Sequence, residues 1–180
     1  MVELGKQQEA GEMLGILANI LNTTLRTDSA LAPLSDCLSQ AVQYFKLQKL
    51  RYSQGIQLEV DVDEALKTCQ FPLTALQPLV ENAIQHGLRE DGSALKITIR
   101  GWADGDVLHV TVQDDGRGMD GRQLRRLRES LAEDKVRHES IGAANVHSRI
   151  RLEFGAPYGL AVESEPGRGS CMHITLPIVQ

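Results

Sequence analysis

The sequence predicts an α+β fold: a two-layer α/β sandwich on a mixed sheet, preceded by an N-terminal helical hairpin. Apolar residues first recur every three or four positions, then alternate one by one from residue 56, and finally strands and helix-like stretches interleave. At 180 residues and 42% hydrophobic content, the chain can bury one proper core, or a compact domain plus a helical appendage.

Each element has its own signal. Leu14, Leu17, Ala18, Leu21 and Leu25 share one face of an amphipathic helix. "TDSALAP" (27–33) breaks that period with cap-type residues and a proline. A second helix follows, with Leu34, Leu38, Ala41, Phe45 and Tyr52 on one stripe and Leu47 and Leu50 roughly opposite, so it should touch two neighbours. "IQLEVDVD" (56–63) alternates apolar and acidic residues as a half-buried strand does. A helix should run from near Pro72 and stop at Gly87. "LKITIRGWADGDVLHVTVQD" reads as a hairpin turning at "ADGD". A polar, arginine-rich stretch (120–139) precedes a helix over about 144–154, and two last strands bracket the turn "PGRG".

A net charge of −5 and a pI of about 5.5 offer no basic surface for nucleic acid, so an anionic ligand must be caught locally. Cys37, Cys69 and Cys171 are far apart, share no metal-type spacing and make an odd count, which suits a reducing, cytoplasmic compartment. No apolar run reaches the roughly eighteen residues that a membrane helix needs, so membrane attachment is expected only through regions outside this chain.

Four stretches carry chemistry. In "QPLVENAIQHG" (77–87), Leu76, Leu79, Val80 and Ala83 centre the buried face of the helix, while Asn82 and His86 lie together on its flank, where a helix borders a cleft. Solvated flank residues would look the same, but Asn82 can offer a carbonyl oxygen to a hard cation and His86 a donor to a phosphate oxygen. "VQDDGRGM" (112–119) ends a strand; a plain Asp-Gly turn is one reading, and the other sets Asp114 to accept from an exocyclic amine while Gly116 and Gly118 let backbone approach a flat ligand. "SIGAANV" (140–146) puts Gly142 just ahead of a helix start, where free N–H groups attract anions. "PGRGS" (166–170) is a tight turn. The Walker pattern is absent, which excludes a P-loop site.

In fixed order, these stretches resemble the Bergerat ATP-binding fold of the gyrase, Hsp90, histidine kinase and MutL superfamily. Within it the chain looks like the catalytic domain of LytS-type sensor histidine kinases, on "KLQKLRY", "PLTALQPLVENAIQHG" and the ending "MHITLP". The resemblance implies ATP and Mg²⁺ as cofactors, with Asn82 as the Mg²⁺ ligand and His86 on the phosphate side. It makes Asp114 the adenine-binding aspartate with Gly116 and Gly118 beside it. Gly142 and Asn145 then fall in the second glycine motif, and Gly167, Gly169 and Ser170 in the third. It further implies that 120–139 is an ATP lid, that residues 1–54 are the tail of a homodimerising helical segment and 55–180 the catalytic domain, and that the γ-phosphoryl passes to a histidine and then to a response-regulator aspartate.

Three departures bear on that reading. Pro78 stands where the hydrolysing members carry a water-activating glutamate, which favours transfer over hydrolysis because proline is no base. None of the five histidines lies in the two leading helices, so the chain is expected to start after the acceptor histidine, with a degenerate kinase as the alternative reading. Ser140 and Ala143 replace the usual glycine and leucine of the second glycine motif. The rival readings are a serine kinase of the anti-sigma type and a nucleotide-sensing module without transfer activity.

Overall fold

The computed structural model describes residues 30–52, 55–132 and 141–179. The helix expected over 14–25 therefore lies outside the described residues, as does Ser140. The chain opens with β1 (Leu31–Pro33) and α1 (Leu34–Lys49), then β2 (Ile56–Val62), a 3-10 turn (Glu64–Leu66), β3 (Gln70–Pro72) and α2 (Leu76–Gly87). It continues through β4 (Leu95–Asp104), β5 (Val107–Asp114), α3 (Gly121–Ala132), α4 (Ile141–Phe154), β6 (Gly159–Glu165) and β7 (Gly169–Pro177).

Five strands form a mixed sheet in the order β2-β4-β5-β7-β6. Only β2–β4 is parallel, and the helix-bearing crossover between them supplies α2. The expected hairpin is β4–β5, with Gly105 at φ 56° in the two-residue turn that a right-twisted hairpin requires. Alternation sorts its side chains: Ile97, Ile99, Leu108, Val110 and Val112 are buried against the helices, while Arg100, Trp102 and His109 face the other way.

Two boundaries differ from expectation. Pro72 ends β3, which pairs with β1, so α2 starts at Leu76 and places Pro78 in its first turn, where a missing N–H breaks no helical bond. Helix α4 starts at Ile141 rather than near 144, so Gly142 sits inside its first turn instead of ahead of it. The alternating stretch at 56–62 does form a strand, but an edge one, with Ile56 buried and Val60 exposed.

The chain on both sides of residues 54/55 packs into one core. Leu34, Leu38, Ala41 and Phe45 of α1 join the same buried cluster as Leu76, Leu79 and Val80 of α2, and β1 pairs with β3 across that point.

Candidate functional site

Helices α2, α3 and α4 cover one face of the sheet, and a cleft of about 740 Å³ opens between them and the ends of β5 and β7. That volume lies in the range of small-molecule pockets, roughly 300–1,000 Å³. Leu79 and Ala83 of α2, Val112 of β5 and Met172 of β7 make apolar wall, and Asn82 and His86 stand together on the α2 side, where their four-residue spacing puts them.

Asp114 also lines the cleft. It is only 6% exposed, and its Oδ1 accepts the Gly116 N–H at 2.9 Å. Burial pushes its carboxyl up to about 6; the Gly116 and Ser170 N–H groups pull the other way, Asp115 adds to the rise, and Arg89 opposes it. A carboxylate held in an apolar cleft and still partly protonatable needs a donor from a ligand more than a solvated one does.

The rim carries the opposite charge. Arg117 and Arg126 line the cleft with His86, and the Arg117 Nε donates to the His86 carbonyl at 2.7 Å. Burial first, and Arg117 second, hold the His86 imidazole below its ordinary pKa, so near neutrality it is an uncharged ring able to donate one N–H. An acceptor within the cleft and cations at its rim match a ligand with an amine at one end and phosphates at the other, despite the acidic chain as a whole.

Helix α3 closes one side. Asp120 and Gln123 cap it reciprocally: Asp120 Oδ1 accepts the Arg122 and Gln123 N–H groups at 2.8 Å, and Gln123 Oε1 accepts the Asp120 N–H at 3.0 Å. Gln123, Arg126 and Leu127 then face the cleft at helical spacing, and Arg128 donates twice to the Val162 carbonyl, at 3.1 and 2.9 Å, tying α3 to β6. The helical part of the 120–139 stretch is thus a packed, amphipathic helix; residues 133–140 lie outside the described ones.

The glycines act differently from the sequence expectation, since several serve backbone-to-backbone approach. A Cβ on Gly116 would come within 2.1 Å of the Gly87 carbonyl oxygen, so the strand end and the α2 terminus can meet only where residue 116 carries no side chain. Gly169, at φ 90°, would place a Cβ 1.9 Å from the Asp114 carbonyl oxygen. These contacts seat the Asp114 carboxylate. Gly118 and Ser170 do line the cleft. Gly142 backs Asn82, with a would-be Cβ 3.5 Å from its Nδ2, while Gly167 sits exposed in the β6–β7 turn and Asn145 is exposed on α4; neither of these two lines the cleft.

Arginines were the missed residues. Besides Arg117 and Arg126, Arg89 just beyond α2 donates from Nη2 to the carbonyls of Asp115, Gly116 (3.3 Å) and Gly167 (3.5 Å), clamping the Asp114 loop to the β6–β7 turn. In sequence each is one arginine among many polar residues, and only the downstream contacts distinguish them. Glu81 points elsewhere, accepting the Gln85 Nε2–H at 2.9 Å.

The pattern of the histidine kinase-, DNA gyrase B- and HSP90-like ATPases matches residues 70–180. The chain belongs to this family. Among curated relatives, the sensor histidine kinase YesM of Bacillus subtilis is 29% identical over 177 residues, covering 98% of this chain and 29% of its own length. A sensor-like histidine kinase of Staphylococcus epidermidis is 36% identical over 163 residues, covering 91% of this chain and 31% of its own length. HptS of Staphylococcus aureus is 32% identical over 162 residues, with 90% and 31% covered. The chain thus spans less than a third of the length of these relatives.

Solved histidine kinase structures share the fold. The catalytic domain of histidine kinase ThkA superposes with a TM-score of 0.61 at 14% identity, covering 84% of this chain and 97% of that one. Histidine kinase AdeS of Acinetobacter baumannii gives 0.61 at 17% identity, covering 94% and 77%. The mixed sheet under helices is therefore the fold of histidine kinase ATPase domains. Among the described residues no helix is long and apolar enough to cross a membrane.

Proposed function

We propose that this chain is the Mg-ATP-binding catalytic domain of a LytS-type sensor histidine kinase. The observation that carries the reading is the pairing of a buried carboxylate, Asp114, with a cationic rim of Arg117 and Arg126 in one cleft. Asp114 accepts from the exocyclic amine of adenine, and the apolar wall of Leu79, Ala83, Val112 and Met172 covers the base. The triphosphate then extends toward His86, which donates its N–H, and toward Arg126.

The residues present fit a hard cation in one respect: Asn82 lines the cleft beside the proposed phosphate path with a carbonyl oxygen to offer. Bound Mg²⁺ would neutralise charge on the phosphates. Pro78 offers no base to activate water, so positioning dominates and the γ-phosphoryl goes to a histidine on a helical dimerisation segment and from there to a response-regulator aspartate. In this reading residues 1–54 belong to that segment and 55–180 to the catalytic domain.

The test combines titration with transfer. Calorimetric titration with Mg-ATP should show saturable binding, and a separately made acceptor protein carrying the family's histidine helix should then take up acid-labile, base-stable label from γ-labelled ATP. Absence of nucleotide binding would sink the proposal. Acid-stable label on serine would transfer it to a serine kinase, and binding without any label would leave a sensing module.

A further inference from the structure

The sheet face turned away from the cleft carries a second constellation. Trp102 of β4 stands opposite His109 of β5 with ring centroids 5.1 Å apart and planes 7° apart. His173 of β7 pairs with Thr111, so it sits diagonally from His109, and its centroid is 5.5 Å from that of Trp102 and 5.1 Å from that of His109. The His109 Nδ1 and His173 Nε2 lie 2.9 Å apart.

We propose that His109 and His173 form a binding site for a late first-row divalent transition ion, with Cu(II) bound tightest. Two imidazole nitrogens at about 2.0–2.1 Å from one ion, subtending 90° to 109°, are roughly 2.9–3.4 Å apart. The pair already stands at the lower end of that window. Imidazole nitrogen suits copper, nickel and zinc, and the Irving–Williams order places Cu(II) highest. Among the described residues no third histidine, cysteine or carboxylate completes a closed metal cage, so the remaining positions go to water and the site stays open. Magnesium, which takes oxygen ligands, is excluded by the donor set.

The proton balance is simple. In the metal-free pair one facing nitrogen donates its proton to the other; coordination moves that proton to the far nitrogen of the same ring, and two neutral rings bind with no net proton release. Burial and then His109 lower the His173 pKa, which favours its neutral ring, with Glu163 on β6 the opposing influence. Arg100, on the same face of β4, is drawn toward Asp61 of β2 at 3.9 Å.

Trp102 is the single tryptophan of the chain and reports on the site directly. Copper chloride is titrated into metal-stripped protein near neutral pH while its fluorescence is followed. Saturable quenching at one ion per chain is expected, weakened at least about tenfold in His109→Gln and in His173→Gln. His86→Gln should leave the midpoint unchanged, and magnesium chloride should quench nothing. Non-saturating quenching, an unchanged midpoint in either variant, or loss of binding in His86→Gln would overturn the proposal. As a readout independent of variant folding, substoichiometric Cu(II) should broaden the wild-type ring proton resonances of His109 and His173 together before those of His86 and His147; the reverse order would overturn it as well.

Discussion

Replacing Asp114 with asparagine separates stability from binding. Burial lifts the folded carboxyl from 3.8 to about 6, and each unit corresponds to about 1.4 kcal/mol between protonation states. Holding the charge at high pH therefore costs the unliganded fold up to about 3 kcal/mol. The sign follows from the direction of the shift. The folded state binds this proton more tightly than the unfolded chain, so the wild type is relatively most stable below 3.8 and loses that stability as pH rises through about 6. Asparagine carries no charge and can still accept the Gly116 N–H through Oδ1. Urea unfolding should thus find Asp114→Asn more stable than wild type by about 1–3 kcal/mol at about pH 8, with the difference vanishing near about pH 4. The same substitution should weaken Mg-ATP binding at least about tenfold by calorimetry, because an amide accepts a hydrogen bond more weakly than a carboxylate. Wild-type affinity should likewise fall as pH drops below about 6, where the acceptor becomes a donor. A variant no more stable than wild type at high pH, or a stability difference independent of pH, would refute the argument from burial.

Three further outcomes follow from the site geometry. Asn82→Ala should abolish the Mg²⁺ dependence of nucleotide binding, since it deletes a carbonyl ligand; titration with and without metal checks this, and a full metal effect in the variant would reduce Asn82 to a helix flank. Arg89→Ala should lower stability by about 1–2 kcal/mol and weaken ATP binding severalfold although Arg89 does not line the cleft, because it releases the loop that seats Asp114; denaturant unfolding and calorimetry measure the two effects. Gly169→Ala should destabilise by at least about 3 kcal/mol in thermal unfolding, as its Cβ would overlap the Asp114 carbonyl in a left-handed backbone conformation.

Local periodicity determined much of this protein. Alternation at 95–114 and 159–177 suffices to place strands, because a side-chain period of two must show wherever one sheet face is buried. Helical spacing likewise put Asn82 and His86 on one flank of α2, and the end of β5 put Asp114 where a strand stops, since both depend only on residues close in the chain. Tertiary structure decided what depends on distant partners. The β1–β3 pairing joins residues about forty apart, and its cost in loop entropy leaves no local signature. Gly116 looks like a ligand-contacting glycine in sequence and Gly169 like a turn glycine, yet each is required by a carbonyl from another element. Arg89, Arg117 and Arg126 gained distinct roles only when α2, the Asp114 loop and α3 converged, and His109 met His173, 64 residues on, only because β5 pairs with β7. Periodicity is a property of neighbours along the chain; a site is a property of neighbours in space, and packing alone brings them together.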